Sequence, residues 1–324
     1  MPDPTSARTR RPGTPVQAAR LLGELELVGR GGEPVDLWRT INSHGLVELP
    51  PMRVDADSRS LEITLPRAHG APRTVTISQS GPTRAAVMVA DRPPAGDDRD
   101  RLLVAVRHVL RLDEDLAPFY AVAASDPNLA WATSGAGRLI RSASVYEEVV
   151  KTICTTNCAW SATKRMVGVL VAELGEPAPG APRDGSLGRA FPTSSAMAGA
   201  DEVFYRDVVR AGYRGRYLGE LAERVESGAA QLEELGRTTR DEIPDDEVER
   251  RLLALPGVGP YAAAHVMLML GRYSRLVLDS WTRPKYASVV GSRPLKDSTI
   301  VRRFRRYGPY AGLAFWLTVS ADWV

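Results

Sequence analysis

The chain has 324 residues, 42 basic and 39 acidic, and a formal net charge of only +3. At 44% hydrophobic and 25% charged it has a globular composition, enough for one large or two medium domains, each with its own core. No apolar run reaches the roughly 18 residues of a membrane span, and the Arg/Pro/Thr-rich start lacks the apolar centre of a secretory signal. The near-neutral total hides a bias. Lysine occurs only at Lys151, Lys164, Lys285 and Lys296, which leaves 38 of the 42 basic residues as arginine.

Residues 1–18 are rich in Pro, Arg, Thr and Gly without periodicity, which predicts a disordered tail. From Leu21 the pattern is β-like. Residues 25–27, 61–65 and 75–78 alternate apolar and polar positions, residues 85–90 add a further strand, and turn-rich segments separate them. An antiparallel sheet with one wet face fits this pattern. After Arg92-Pro93-Pro94 the period changes: Leu102, Leu103, Val106, Val109 and Leu110 recur at helical spacing, with Asp97 and Asp98 as cap candidates. Further helices are predicted over residues 145–153, 162–174, 203–209, 217–225, 248–253 and 262–270. The expected fold class is α+β. A small antiparallel β-containing N-terminal domain (residues 19–125) leads into a mainly helical domain (residues 126–324).

Cys154 and Cys158 are too few for a disulfide framework, and one helical turn of separation disfavours a bridge, so reduced thiols are expected. The four histidines, His44, His69, His108 and His265, match no zinc spacing. Charge is uneven along the chain. Residues 283–306 carry Arg283, Lys285, Arg293, Lys296, Arg302, Arg303, Arg305 and Arg306 against the single acid Asp297. Such a stretch attracts phosphate backbones or forms a solvated helix face.

The most informative segment is Leu255-Pro256-Gly257-Val258-Gly259-Pro260-Tyr261, between two helical patterns. Asp245 and Asp246 are cap candidates for the first helix, and Leu252 and Leu253 lie on its expected buried face. Pro260 suits the first position of the second helix. Gly257 and Gly259 permit a tight turn and leave backbone N–H groups open at a helix N-terminus, a ready phosphate site, with Val258 plugging the turn into the core. One helix later, Asp279 follows Leu276-Val277-Leu278 directly. A carboxylate at the rim of a core is a helix cap or a functional acid.

Here the chain resembles the helix-hairpin-helix (HhH-GPD) DNA glycosylase superfamily, whose signature is this hairpin, a helix, and an apolar stretch ending in aspartate. Residues 153–157, 211–217, 307–312 and 320–322 resemble segments of 8-oxoguanine DNA glycosylases. Residues 25–51 resemble the β-domain those enzymes share with 3-methyladenine-DNA glycosylase II. The likeness spans most of residues 21–324. It implies base-excision repair of double-stranded DNA by base flipping, with Asp279 as the catalytic acid residue and Gly257, Val258 and Gly259 holding a phosphate, often beside a monovalent cation on hairpin carbonyls. It implies that Asn157 and Tyr213 fill and wedge the gap left by the flipped nucleotide and that Arg214 lies near the estranged base. A helix-cap role for Asn157 and core packing for Tyr213 remain open.

The departures narrow the chemistry. Where bifunctional members carry the Schiff-base lysine, this chain has Tyr261, in a Gly-Pro-Tyr like the Gly-Pro-Trp of 3-methyladenine-DNA glycosylase II. The position of the glutamine that reads 8-oxoguanine aligns with Phe315. That of the stacking phenylalanine aligns with Val319, and the cysteine on the base's other face with His265. An arginine near the estranged cytosine is replaced by Ala162. Tyr261, His265, Phe315 and Trp281, with Trp160, are therefore candidate pocket residues for an electron-poor alkylated purine; core packing of Phe315, Trp316 and His265 is the alternative. The four-cysteine run of an iron–sulfur cluster is absent and no other cofactor is implied. The expectation is a monofunctional, monomeric glycosylase in the cytoplasm, nucleoid-associated if bacterial. The alternatives are an 8-oxoguanine glycosylase with lyase activity from another amine, such as Lys285, and a non-catalytic damage binder.

Overall fold

The computed structural model describes residues 19–323, so the tail expected for residues 1–18 lies outside the described residues. The period-two segments form five strands: β1 (Arg20–Glu26), β2 (Met52–Asp55), β3 (Ser60–Leu65), β4 (Arg73–Gly81) and β5 (Arg84–Val89). Their order is β1-β5-β4-β3-β2, with every neighbouring pair antiparallel. Ile63 pairs with Met52 on one side and Val75 on the other, and Leu61, Leu65, Ile77 and Val87 are buried with it. Each such side chain contributes roughly 1.5–3 kcal/mol by leaving water. Between β1 and β2 lie α1 (Leu37–Ile41) and a 3-10 turn, Gly45–Glu48. Helix α2 (Asp97–Val109) completes this core with Leu102, Val106 and Val109.

The remaining helices enclose a second core: α3 (Ala117–Ala124), α4 (Val145–Thr155), α5 (Trp160–Leu174), α6 (Ser194–Ala198), α7 (Arg214–Glu226), α8 (Leu232–Arg237), α9 (Asp245–Leu253), α10 (Pro260–Met269), α11 (Thr282–Val289), α12 (Asp297–Phe304) and α13 (Ala311–Ser320). The α+β architecture read from the sequence is the one observed. Leu112 belongs to the sheet's core, whereas Leu116 and Phe119 belong to the helical one. Four local expectations need correction. Residues 204–208 make a π-helical turn rather than an α-helix. Leu253 is 42% exposed, because only Val248 and Leu252 of α9 face inward. The aspartate pairs 97/98 and 245/246 stand inside the first turns of α2 and α9. They favour the helix dipole there without capping it, since the cap positions are Gly96 and Pro244.

A buried polar network joins the two cores. The Glu33 carboxylate accepts from the Arg138 guanidinium and from Leu116 N–H (2.7 Å). Arg138 also donates to the carbonyls of Arg111 (2.5 Å) and Glu114 (3.0 Å). Arg111 in turn donates to Leu139 O (2.9 Å) and to Met269 O, the last residue of α10. A fixed cation thus sits at the C-terminal end of the hairpin's second helix, where the dipole favours it. This anchors the helix that positions the candidate site.

Candidate active site

Helices α9 and α10 are joined by the two-glycine hairpin. Gly257 has φ +76°, a left-handed conformation that other residues resist, and a Cβ there would come within 2.8 Å of the Tyr217 ring. Both constraints demand glycine. Gly259 precedes Pro260 at the start of α10, and a Cβ on it would meet nothing within 4 Å, so its surface is open. Val258 is buried, as a plug should be, but its N–H donates to Leu255 O (3.3 Å). That corrects the expected set of phosphate donors: the turn itself uses the Val258 N–H. No acceptor among the described residues meets the N–H of Gly257 or Gly259.

The chain leaves α10 and passes under α13, where Gly312 N–H donates to Tyr273 O (2.6 Å). A Cβ on Gly312 would lie 2.1 Å from Arg275 O, so only glycine allows this crossing. Val277 is buried, and Asp279 emerges half-buried at the rim. Its Oδ1 accepts from Trp281 N–H (2.8 Å) and Thr282 N–H (2.6 Å), while Thr282 Oγ1 accepts from Asp279 N–H (2.9 Å). This reciprocal pair caps the turn opening α11. The aspartate is therefore a cap, and one carboxylate oxygen is engaged in capping. It also lines a cleft of about 1290 Å³ between the sheet domain and the helices.

Aromatic side chains line the same cleft as a connected row. Tyr261 stacks on His265 (5.9 Å between centroids, 18°), His265 meets His44 (4.7 Å), and His44 stacks on Trp316 (4.6 Å, 24°). Trp316 then contacts Trp281 (5.9 Å) and Trp323 (5.6 Å). Burial raises the Tyr261 hydroxyl's pKa; that hydroxyl lies 3.4 Å from Thr155 Oγ1. Burial lowers the His265 pKa to about 4, an effect Asp279 partly offsets. Trp160 also lines the cleft, donating from Nε1 to Glu48 (3.0 Å). Phe315 does not. It is fully buried, packed on Phe304 (5.2 Å) and Tyr286 (5.6 Å), because it points from α13 into the helical core. Its neighbour Trp316 takes the cleft position, and His44, Trp316 and Trp323 were not among the residues expected to line it.

At the cleft's edge Asn157 follows α4 with φ +47°, a left-handed geometry that asparagine tolerates. Its Nδ2 donates to Tyr213 OH (3.3 Å), and Tyr213 is 54% exposed rather than packed in the core. Arg214, expected near the estranged base, is buried. Its guanidinium donates to Thr156 O and to Ala211 O (3.4 Å), and lies 4.6 Å from the Tyr213 ring centroid. Carbonyls and a π-face meet its terminal nitrogens while its buried Nε has no partner, and it braces the Asn157–Tyr213 pair from beneath.

No family model matches the chain, and no curated protein sequence matches it. Solved structures do match in shape. The 3-methyladenine DNA-glycosylase from Archaeoglobus fulgidus superposes with a TM-score of 0.70 at 17% identity, over 92% of this chain and 98% of that one. MBOgg1 in complex with a low-affinity DNA ligand gives 0.69 at 19% identity, over 91% and 93%. The apo-form of the Clostridium acetobutylicum 8-oxoguanine glycosylase/lyase gives 0.63 at 18% identity, over 87% and 94%. The fold is that of the DNA glycosylases.

Within this glycosylase fold, some of the basic residues are paired with acids. Of the basic residues after Asp279, Arg283 is held by Asp297 (2.7 and 2.9 Å), Lys285 by Asp322 (2.5 Å) and Arg306 by Asp126 (2.7 Å). Three of the eight cations of residues 283–306 are thus paired, two of them by acids outside the stretch. Among the described residues no lysine lines the cleft. Cys154 is buried, which raises its thiol pKa to about 12, and both cysteines are free. No cluster of three or more His, Cys, Asp or Glu able to hold a metal occurs among the described residues. None of the described helices is long and apolar enough to cross a membrane.

Proposed function

We propose that the chain is a member of the helix-hairpin-helix DNA glycosylases and a monofunctional base-excision enzyme that hydrolyses the N-glycosidic bond of a flipped, alkylated purine. The observation that carries this reading is Asp279 lining a cleft that is also lined by a row of aromatic faces. A purine alkylated at N3 or N7 is cationic while it remains attached to the sugar. Its C1′–N9 bond breaks with the electron pair returning to the ring, so the base leaves neutral and needs little protonation. Positive charge then develops on the sugar, and the Asp279 carboxylate stabilises it and orients the water that adds to C1′, whose proton passes through the carboxylate to solvent. π-Faces favour a cation by about 0.5–2 kcal/mol each, an advantage a neutral oxidised purine lacks.

The hairpin N–H groups of Gly257 and Gly259 would hold a backbone phosphate, and Asn157 with Tyr213 would fill the duplex behind the extruded nucleotide. Leu255 and Gly259 carbonyls each accept one backbone N–H and keep a second lone pair. These are oxygens of the kind a monovalent cation takes, and one held there would add positive charge beside the phosphate. One protomer suffices for one flipped base.

Tyr261 cannot form a Schiff base, and the Lys285 ammonium is tied to Asp322. Borohydride treatment during turnover is therefore expected to trap no covalent protein–DNA adduct, and strands should break only after alkali. A trapped adduct would overturn the monofunctional assignment.

A further inference from the structure

His44 and His265 lie 221 positions apart, one in the turn after α1 and one in α10, yet their Nε2 atoms are 2.9 Å apart. Both line the cleft, at 6% and 3% exposure. The backbone fixes the direction of their hydrogen bond. Leu46 N–H donates to His44 Nδ1 (3.2 Å), so the neutral His44 ring carries its proton on Nε2 and donates to His265. His265 then carries its proton on Nδ1, 3.0 Å from Thr152 Oγ1. Every ring nitrogen is engaged, so neither imidazole keeps a polar edge to read a base. Their flat faces continue the row instead, His265 against Tyr261 and His44 against Trp316.

We propose that His44 and His265 are positioning residues that set specificity for a cationic base: one hydrogen bond between two neutral imidazoles holds Tyr261 and Trp316 in the cleft wall and keeps that wall itself free of positive charge. The inference rests on the alkylpurine reading and names the device that enforces it. A proton on either ring would bring two N–H groups head to head and place a cation where the substrate's own charge must sit. Burial opposes that proton at both sites, and at His44 the neighbouring His265 opposes it further. The other titratable groups facing the pair are Asp279, which favours protonation of His265, and Tyr261, stacked on that ring. For a base whose folded pKa is depressed, stability is full above the unfolded value of about 6.5 and falls as pH drops through the folded values, about 4 for His265.

Two measurements on the full chain test this. Imidazole nitrogen NMR without DNA should find both rings neutral at pH 6, with His44 protonated on Nε2 and His265 on Nδ1. An imidazolium, or the opposite tautomer, at either position would overturn the proposal whatever reaction the protein performs. With a duplex carrying 7-methylguanine, His44→Leu strands the His265 acceptor and should raise the half-saturating concentration about 10-fold, more than it lowers the single-turnover rate. His44→Gln, whose amide can replace the Nε2 donor, should recover most of that loss. Unchanged saturation in His44→Leu, or an equal loss in His44→Gln, would contradict it. If the unmodified chain releases no methylated base, the functional reading fails while the NMR result still decides the histidine pair.

Discussion

Asp279→Asn is expected to lower base release by about 10²–10³-fold, comparable to losing one preorganised electrostatic contact to a developing charge. The same substitution should leave the fold intact. Asparagine caps helices as well as aspartate, and its side-chain oxygen can still accept the Trp281 and Thr282 N–H groups that Oδ1 accepts now. Asp279→Ala removes cap and charge together and should also cost about 1 kcal/mol of stability. Single-turnover release, duplex affinity and a thermal melt separate these effects. Full activity in a folded Asp279→Asn chain would remove the carboxylate from the mechanism.

The largest stability effect is expected away from the cleft. Glu33→Ala leaves the Arg138 guanidinium, fully buried in the structure, without its carboxylate and Leu116 N–H without its acceptor. Breaking a buried pair from one side costs about 3–5 kcal/mol, whereas replacing both partners with apolar residues of similar volume recovers much of that. Glu33→Leu with Arg138→Met is the matching double variant. Because Arg138 is bonded to the backbone of Arg111, and Arg111 to the end of α10, the loss should reach the hairpin as well. Urea unfolding measures it; a Glu33→Ala loss below about 1 kcal/mol would mean the network is not what joins the two cores.

What could be read from the sequence follows from where local pattern determines structure. The strands at residues 61–65 and 75–78 were legible because one buried face imposes alternation, while four-residue β2 is too short to show it. The hairpin was legible because two glycines and a proline have specific backbone reasons to stand where they do. Asp279 was legible because a charge directly after three apolar residues needs an explanation. The cleft's walls were not. Helix α13 is buried on nearly all sides, so periodicity cannot say whether Phe315 or Trp316 faces the cleft. Helix α10 has the same property, with every residue from Ala262 to Met269 buried. His44 stands alone in a turn, and nothing near it in sequence announces a partner 221 residues away. Arg214 matched its motif, but its burial depends on the carbonyl of Thr156, 58 positions earlier in the chain.

Hydrolytic removal of alkylated purines by an aspartate in an aromatic-walled cleft is the proposal on which the other roles depend. Its most direct test is base release by the unmodified chain from matched duplexes carrying 7-methylguanine, 3-methyladenine or 8-oxoguanine, with the freed base identified by mass spectrometry and strand breaks scored before and after alkali. Release of the methylated bases, little or none of 8-oxoguanine, and breaks only after alkali are the expected results. Preferential release of 8-oxoguanine, or strand breaks before alkali, would contradict it.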